Sequence, residues 1–217
     1  MNIMKNIFLY AIGAAVLGMA AIACSPAKEQ AEPVEVDKVE VLTEILKTRK
    51  SIRQFDTTKV VADEVIMDIL WAANGINRED GKRTAPSAVN AQDIELYVCN
   101  DSGVFFYKPQ EEELEQVSGA DIRPMFAGRN ASALCSPVIL LVSDKSKFPP
   151  FGEERTNRFA AMDAGYVSQN IYMYCSAAGM ATVACAGGIN PKAIQEALSL
   201  PETKVALLYH PIGYPAE

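Results

Sequence analysis

The most constraining stretch of the chain is Val138-Ile139-Leu140-Leu141-Val142, five apolar residues with no polar alternation. A strand with one face in water alternates apolar and polar side chains. An unbroken run therefore fits a central strand covered on both faces. The surrounding sequence supplies helices for that cover. Val39, Leu42, Ile45 and Leu46 fall at helical spacing and predict a helix over Val39 to Lys50. Ile66, Ile69, Leu70 and Ala73 share one face of a second, with Asp63 as its cap and Asn74-Gly75 as its end. The longest helix runs from Glu153 to Ala178, with Val167, Ile171, Tyr174 and Ala178 on one face and Gly179 after it. Asn190-Pro191, a cap followed by proline at the first helical position, opens a helix to Leu198.

Strands are interleaved with these helices. Asp93 to Cys99 alternates, Asn100-Asp101-Ser102-Gly103 is a turn, and Val104 to Tyr107 pairs back as a hairpin. Ala181 to Cys185 and Lys204 to Tyr209 are the later strands. Glu111 to Val117 reads as a short acidic helix, and Asp121 to Ala133 as a helix with an irregular middle. With no internal repeat and no second linker, the order describes one α+β domain over residues 38–217.

Residues 1–23 are expected to be a targeting segment. Lys5 precedes an apolar run from Ile7 to Ala23, short for a transmembrane span and suited to a secretory signal. The junction Ala21-Ile22-Ala23-Cys24-Ser25 resembles a bacterial lipoprotein cleavage site, although Ala21 stands where Leu is commoner. On this reading Cys24 is the lipidated first residue of the mature chain; the alternative is an uncleaved N-terminal anchor helix. Both put the rest of the protein outside the cytoplasmic membrane, in the cell envelope (periplasm). Residues 24–37 are mostly polar, contain Pro26 and Pro33, and read as a tether. Cys99, Cys135, Cys175 and Cys185 remain. They form no Cys-x-x-Cys pair and no zinc-like spacing, and the sequence does not pair them as disulfides.

Composition narrows the chemistry. The net charge of -7 argues against a nucleic-acid partner. A single histidine, His210, rules out His-cluster metal sites and His-pair mechanisms. Any catalysis should come from a bound cofactor.

Three segments carry candidate chemistry. Arg49-Lys50-Ser51-Ile52-Arg53 puts three cations and a hydroxyl in five residues, which can grip a phosphate or simply complement a helix C-terminus. In Arg83-Thr84-Ala85-Pro86-Ser87-Ala88-Val89-Asn90-Ala91-Gln92, Asn90 offers a donor and an acceptor to a heterocycle, or the segment is a polar loop with local caps. In Ala184-Cys185-Ala186-Gly187-Gly188-Ile189-Asn190, two glycines let the backbone approach a flat ligand, or allow positive φ before a capped helix. No Gly-x-Gly-x-x-Gly motif is present, so a Rossmann dinucleotide site is not indicated.

Taken in order, these segments resemble the FMN-dependent nitroreductase family. Asp163-Ala164-Gly165 with Gln169-Asn170 in the long helix, and Pro211-Ile212-Gly213-Tyr214-Pro215 near the end, add to the likeness. The stretch from Leu70 to Asn90 resembles the branch related to thiazoline and oxazoline oxidases. The resemblance covers about residues 40–215. It implies a nitroreductase-like α+β fold, a central mostly antiparallel sheet flanked by helices. It also implies a homodimer with two FMN sites at the subunit interface.

By the same resemblance, Arg49, Ser51 and Arg53, with Lys50 adjacent, bind the FMN phosphate and pyrimidine side. Pro86, Ser87 and Asn90 come from the partner subunit, and Gln92 follows in its usual place. Ala186, Gly187 and Gly188 lie by the flavin N5. No side chain need be catalytic: hydride moves through N5 by a ping-pong route to a small organic substrate. Tyr166 and Tyr172 are conceivable proton donors, with helix packing the plainer role. Family members usually continue into a basic tail that helps hold the phosphate. Its lack here implies weaker binding or compensation by Lys82 or Arg83. A second reading is a non-catalytic flavin- or small-molecule-binding lipoprotein on the same fold. A third is a cytoplasmic NAD(P)H reductase. An exported enzyme needs another electron donor, such as a quinol, a redox protein or the substrate itself.

Overall fold

The computed structural model describes residues 37–126 and 137–216. The proposed signal peptide, Cys24 and all but the last residue of the tether lie outside them, as does Cys135. Six antiparallel strands form one sheet: β1 (Ile94–Asn100), β2 (Gly103–Lys108), β3 (Glu113–Ser118), β4 (Val138–Asp144), β5 (Ala181–Thr182) and β6 (Lys204–Gly213), in the order β3-β2-β1-β4-β6-β5. Four helices accompany it: α1 (Lys38–Thr48), α2 (Asp63–Asn74), α3 (Glu153–Ala177) and α4 (Pro191–Leu198). The mixed α+β, antiparallel architecture is the expected one.

β4 lies between β1 and β6, and its apolar run is buried throughout. Ile139 and Leu141 pack on one face with α2 and α3 residues such as Ile69, Leu70, Val167 and Ile171. Val138, Leu140 and Val142 pack on the other with Ile194 and Leu198 of α4. Both faces are covered, which explains the missing alternation.

Several local expectations need correction. Glu111 to Val117 is not a helix. Glu112 adopts a left-handed φ of 52° and closes a turn. Glu113–Ser118 then pairs with β2 as the edge strand. Its acidic composition favours a helix, but only Leu114 reaches the core, and pairing with β2 gives that side chain its cover. Within Asp121 to Ala133, the described part holds one short 3-10 turn, Arg123–Phe126, begun by the Asp121 carboxylate on the Arg123 N–H (3.0 Å); residues 127–136 lie outside the described set. Asp63 is not a cap. Ala62 holds that position, and Asp63 and Glu64 occupy the first turn, where negative charge suits the helix dipole. The strand expected over Ala181 to Cys185 stops at Thr182, and only Cys185 rejoins the sheet, opposite Tyr209.

Gly75 ends α2 for a steric reason: a Cβ there would lie 2.5 Å from Cδ1 of Trp71. Asn190 caps α4 by accepting the Ala193 N–H (3.3 Å), with Pro191 in the first turn. Among the described residues no helix is long and apolar enough to cross a membrane.

Candidate functional site

Arg49 is the C-cap of α1, where the chain leaves helical geometry. Its guanidinium carbon stands 5.1 Å from the centre of the Tyr172 ring on α3. Ser51 Oγ lies 2.8 Å from the Tyr172 hydroxyl, which also accepts the Ala184 N–H at 2.8 Å. The Ile52 N–H donates to the Thr182 carbonyl at 2.9 Å. One tyrosine thus ties the basic segment to the strand that runs into the glycine loop. Sequence reasoning gave Tyr172 a packing role; its hydroxyl is in fact shared between two of the candidate segments. A cavity of about 460 Å³ opens here, lined by Lys47, Lys50, Tyr172, Ser176 and Thr182 among others. Neither Arg49 nor Lys50 has an acidic partner among the described residues.

Ala186, Gly187 and Gly188 are exposed, and Gly188 has a φ of +87° that favours glycine. A Cβ on Gly187 would meet nothing within 4 Å, so that side of the loop is open.

The Pro86–Gln92 segment has a separate support. Val89, Asn90 and Gln92 all adopt left-handed φ values, 52°, 55° and 49°. Such a cluster of strained residues persists only where surrounding bonds hold it. Here the Ala88 N–H donates to both oxygens of Asp163 on α3 (3.0 and 2.9 Å), and the Gln92 N–H donates to Ser87 Oγ (2.9 Å). Gln92 Nε2 donates to the Gly81 carbonyl (3.2 Å), while Arg83 Nε donates to Gln92 Oε1 (3.2 Å). Asn90 is exposed. Within one chain this loop is fastened to α3, to Arg83 and to Lys147. Lys82 pairs with Asp80 at 2.6 Å.

Two buried acidic positions beside the candidate segments escaped sequence reasoning. Asp163 appeared only as part of a resemblance, and Asp93 only as the start of a strand. Both are buried; the Ser143 hydroxyl donates to Asp93 Oδ2. Burial raises both carboxyls, Asp93 to about 7 with Asp163 adding to the rise. A charged residue at the first position of an alternating strand was the available signal.

His210 is buried between Ser168 Oγ (2.8 Å from Nε2) and Thr182 Oγ1 (3.0 Å from Nδ1). Burial depresses its pKa to about 3, so it is a neutral structural residue at ordinary pH.

An antiparallel six-stranded sheet, a long central helix and a basic segment beside an open glycine loop define a nitroreductase-type α+β domain. The nitroreductase family model matches residues 46–214, and the chain belongs to that family. It is therefore an oxidoreductase, of a family that typically works with a flavin. A Methanocaldococcus jannaschii protein provisionally named a nitroreductase is 25% identical over 182 residues, covering 79% of this chain and 90% of that one. A Methanothermobacter thermautotrophicus protein, provisionally named an NADH dehydrogenase/NAD(P)H nitroreductase, is 28% identical over 188 residues, 84% of this chain and 81% of that one. Among solved structures, a provisionally named nitroreductase from Ralstonia eutropha superposes with a TM-score of 0.74 at 30% identity, covering 81% and 83% of the two chains. A chain of the Escherichia coli microcin synthetase complex superposes with a TM-score of 0.68 at 16% identity, covering 95% of this chain and 85% of that one; it shares the fold.

Proposed function

We propose that the chain is an FMN-dependent oxidoreductase acting as a homodimer, with its flavin sites at the subunit interface. Arg49, Ser51 and Arg53, with Lys50 beside them, hold the phosphate and the pyrimidine side. A second copy supplies Pro86, Ser87, Asn90 and Gln92, and the Ala186–Gly188 loop lies along the reactive edge of the ring. When bound, FMN supplies hydride transfer through N5, accepting from a donor and delivering to a small organic substrate in separate half-reactions. The protein's residues bind and orient; none need exchange a proton with the substrate.

The observation that carries this reading is the placement of the cations. In a chain of net charge -7, Arg49 and Lys50 stand without acidic partners among the described residues. Tyr172 meanwhile fixes Ser51 beside the Ala184 N–H. A dianionic phosphate is what such a donor set fits. We further propose that residues 1–23 are removed, that Cys24 carries lipid, and that residues 24–37 tether the domain to a membrane in the cell envelope.

Purified full-length protein supplied with FMN should be yellow, with one FMN per subunit and a raised melting temperature. A colourless protein with no FMN-dependent shift in melting overturns the cofactor reading. Arg53→Ala should weaken FMN binding more than Lys50→Ala; equal affinity in the wild type and both variants overturns the phosphate assignment. Palmitate labelling should vanish in Cys24→Ala, and unchanged labelling overturns the anchor.

A further inference from the structure

We propose that the crevice where β1 and β2 part is a binding site for a small organic carboxylate, recognised by Arg83 and Tyr107. The two strands pair from Asn100↔Gly103 to Tyr97↔Phe106. Past Tyr107 and Lys108 the chain reaches Pro109, which has no N–H to donate to β1. The Ile94 carbonyl is met by the Asn74 side-chain amide instead, at 2.7 Å. The parting encloses about 120 Å³, walled by Ile94, Leu96 and Phe106 as well as by Tyr107 and Arg83. That size suits an acid of a few carbon atoms.

Two groups here lack what burial ordinarily demands. Tyr107 is 2% exposed, and its hydroxyl has no hydrogen-bond partner among the described residues. Buried polar atoms are almost always satisfied, and an unmet one is costly. Arg83 is half-buried and has no carboxylate partner among the described residues. Its Nε donates to Gln92 Oε1 and its Nη1 to the Asn74 carbonyl, both at 3.2 Å and both neutral acceptors. Nη2 and the second Nη1 hydrogen remain, forming the planar edge that matches two carboxylate oxygens. The one acid lining the crevice, Glu95, is already engaged by Lys204 (2.8 Å), Lys147 (3.7 Å) and the Tyr97 hydroxyl (2.9 Å). The Lys147 ammonium also lines the crevice and donates to the Gln92 carbonyl at 3.1 Å. Two cations, Arg83 and Lys147, and one engaged acid line the crevice, while the Glu112 carboxylate acts on Tyr107 from outside that lining. A carboxylate between the guanidinium and the phenol would satisfy both at once. This site does not rest on the flavin reading. Because Arg83 and Lys147 both hold Gln92, occupancy should be felt at that residue.

The test is an NMR titration of the full chain with acetate and propionate, ionic strength held constant with chloride, following the Arg83 Nε–H and the Gln92 amide. Inorganic phosphate is a second probe. Saturable shifts at both signals by a carboxylate are expected, with affinity about tenfold weaker in Tyr107→Phe, the loss of one hydrogen bond to a charged acceptor. A larger loss is expected in Arg83→Gln. Tyr107→Phe keeps the ring and its packing, so its result stands even if Arg83→Gln fails to fold. Absence of saturable shifts, tighter binding of phosphate than of either carboxylate, or unchanged affinity in Tyr107→Phe overturns the proposal.

Discussion

Asp93 and Asp163 bury two carboxyl groups near enough for each to shift the other's titration. Both side chains are buried; burial raises both carboxyls, and the nearby Asp163 raises Asp93 further, to about 7, so below that pH Asp93 keeps its proton. Asp163 takes the Ala88 N–H on both oxygens, as an anion does. Asp93 takes the Ser143 hydroxyl on Oδ2, and its Oδ1, which meets no donor among the described residues, is left to carry the proton. The pair links the centre of the sheet to the strained Pro86–Gln92 loop.

Asp93 should make the protein less stable as pH rises. Its carboxyl titrates near 3.8 when unfolded and at about 7 when folded. Between those values the folded state holds a proton that the unfolded state has lost. The stability it contributes is full below about pH 4, declines through the window and is gone above pH 7. Asp93→Asn keeps a neutral donor toward Asp163 and removes the titration. Urea midpoints at pH 4.5 and 7.5 should therefore fall less between the two conditions in Asp93→Asn than in the wild type. An identical fall in both proteins would refute the raised Asp93 carboxyl.

His210 should act with the opposite sign. Its pKa drops from 6.5 to about 3 on folding, so the stability it contributes is full above pH 6.5 and lost as pH falls toward 3. Across the overlap, about pH 4 to 6.5, the two residues tilt stability in opposite directions. Each has a slope of at most ~1.4 kcal/mol per pH unit. His210→Gln should expose the Asp93 slope, so that this variant loses stability with rising pH more steeply than the wild type. Thermal melts across pH 4 to 7 measure it.

Tyr172→Phe should loosen the basic segment. The change deletes the hydroxyl between Ser51 and the Ala184 N–H and leaves that N–H without its partner. A cost of about 1–2 kcal/mol in stability is expected. FMN affinity, read by quenching of flavin fluorescence, should fall by about tenfold for one lost positioning bond. A variant with normal stability and normal affinity would show that the hydroxyl positions nothing.

Val89→Gly should stabilise the chain. A β-branched residue at a φ of 52° is strained, and Val89 is 58% exposed, so little packing is lost with its side chain. Relief of roughly 1–2 kcal/mol exceeds the roughly 0.5–1 kcal/mol of added backbone entropy cost. A small rise in urea midpoint is expected, and a fall would mean that the loop holds Val89 without strain.

The sheet's centre could be read from the sequence because its signal is local. Five apolar residues at Val138–Val142 need two covers, and the periodicities of α2, α3 and α4 supply them. β3 could not, because an acidic segment with one buried leucine is helix-like until β2 is beside it. The same division holds for the site. Arg49, Ser51, Asn90 and the 186–188 loop stand out by residue type and spacing. Tyr172 and Asp163 do not, because each acquires its role from partners far along the chain, at Ser51 and Ala88 respectively.

The helix that delivers Arg49 has almost no cover of its own. No residue of α1 is buried, and Val39, Val41, Leu42 and Leu46 are 72%, 45%, 48% and 52% exposed. Its ties to α3 run through Ser176, whose hydroxyl meets Thr48 Oγ1 and the Ile45 carbonyl at 2.9 and 3.2 Å. A segment so lightly held opens at a free energy well below that of global unfolding. Any surface that closes over α1 must also quiet the residues that follow it, and any ligand that grips those residues must favour the closed surface by an equal amount. The order of α1 is therefore a shared quantity, set jointly by what lies against the helix and by what Arg49 to Arg53 hold.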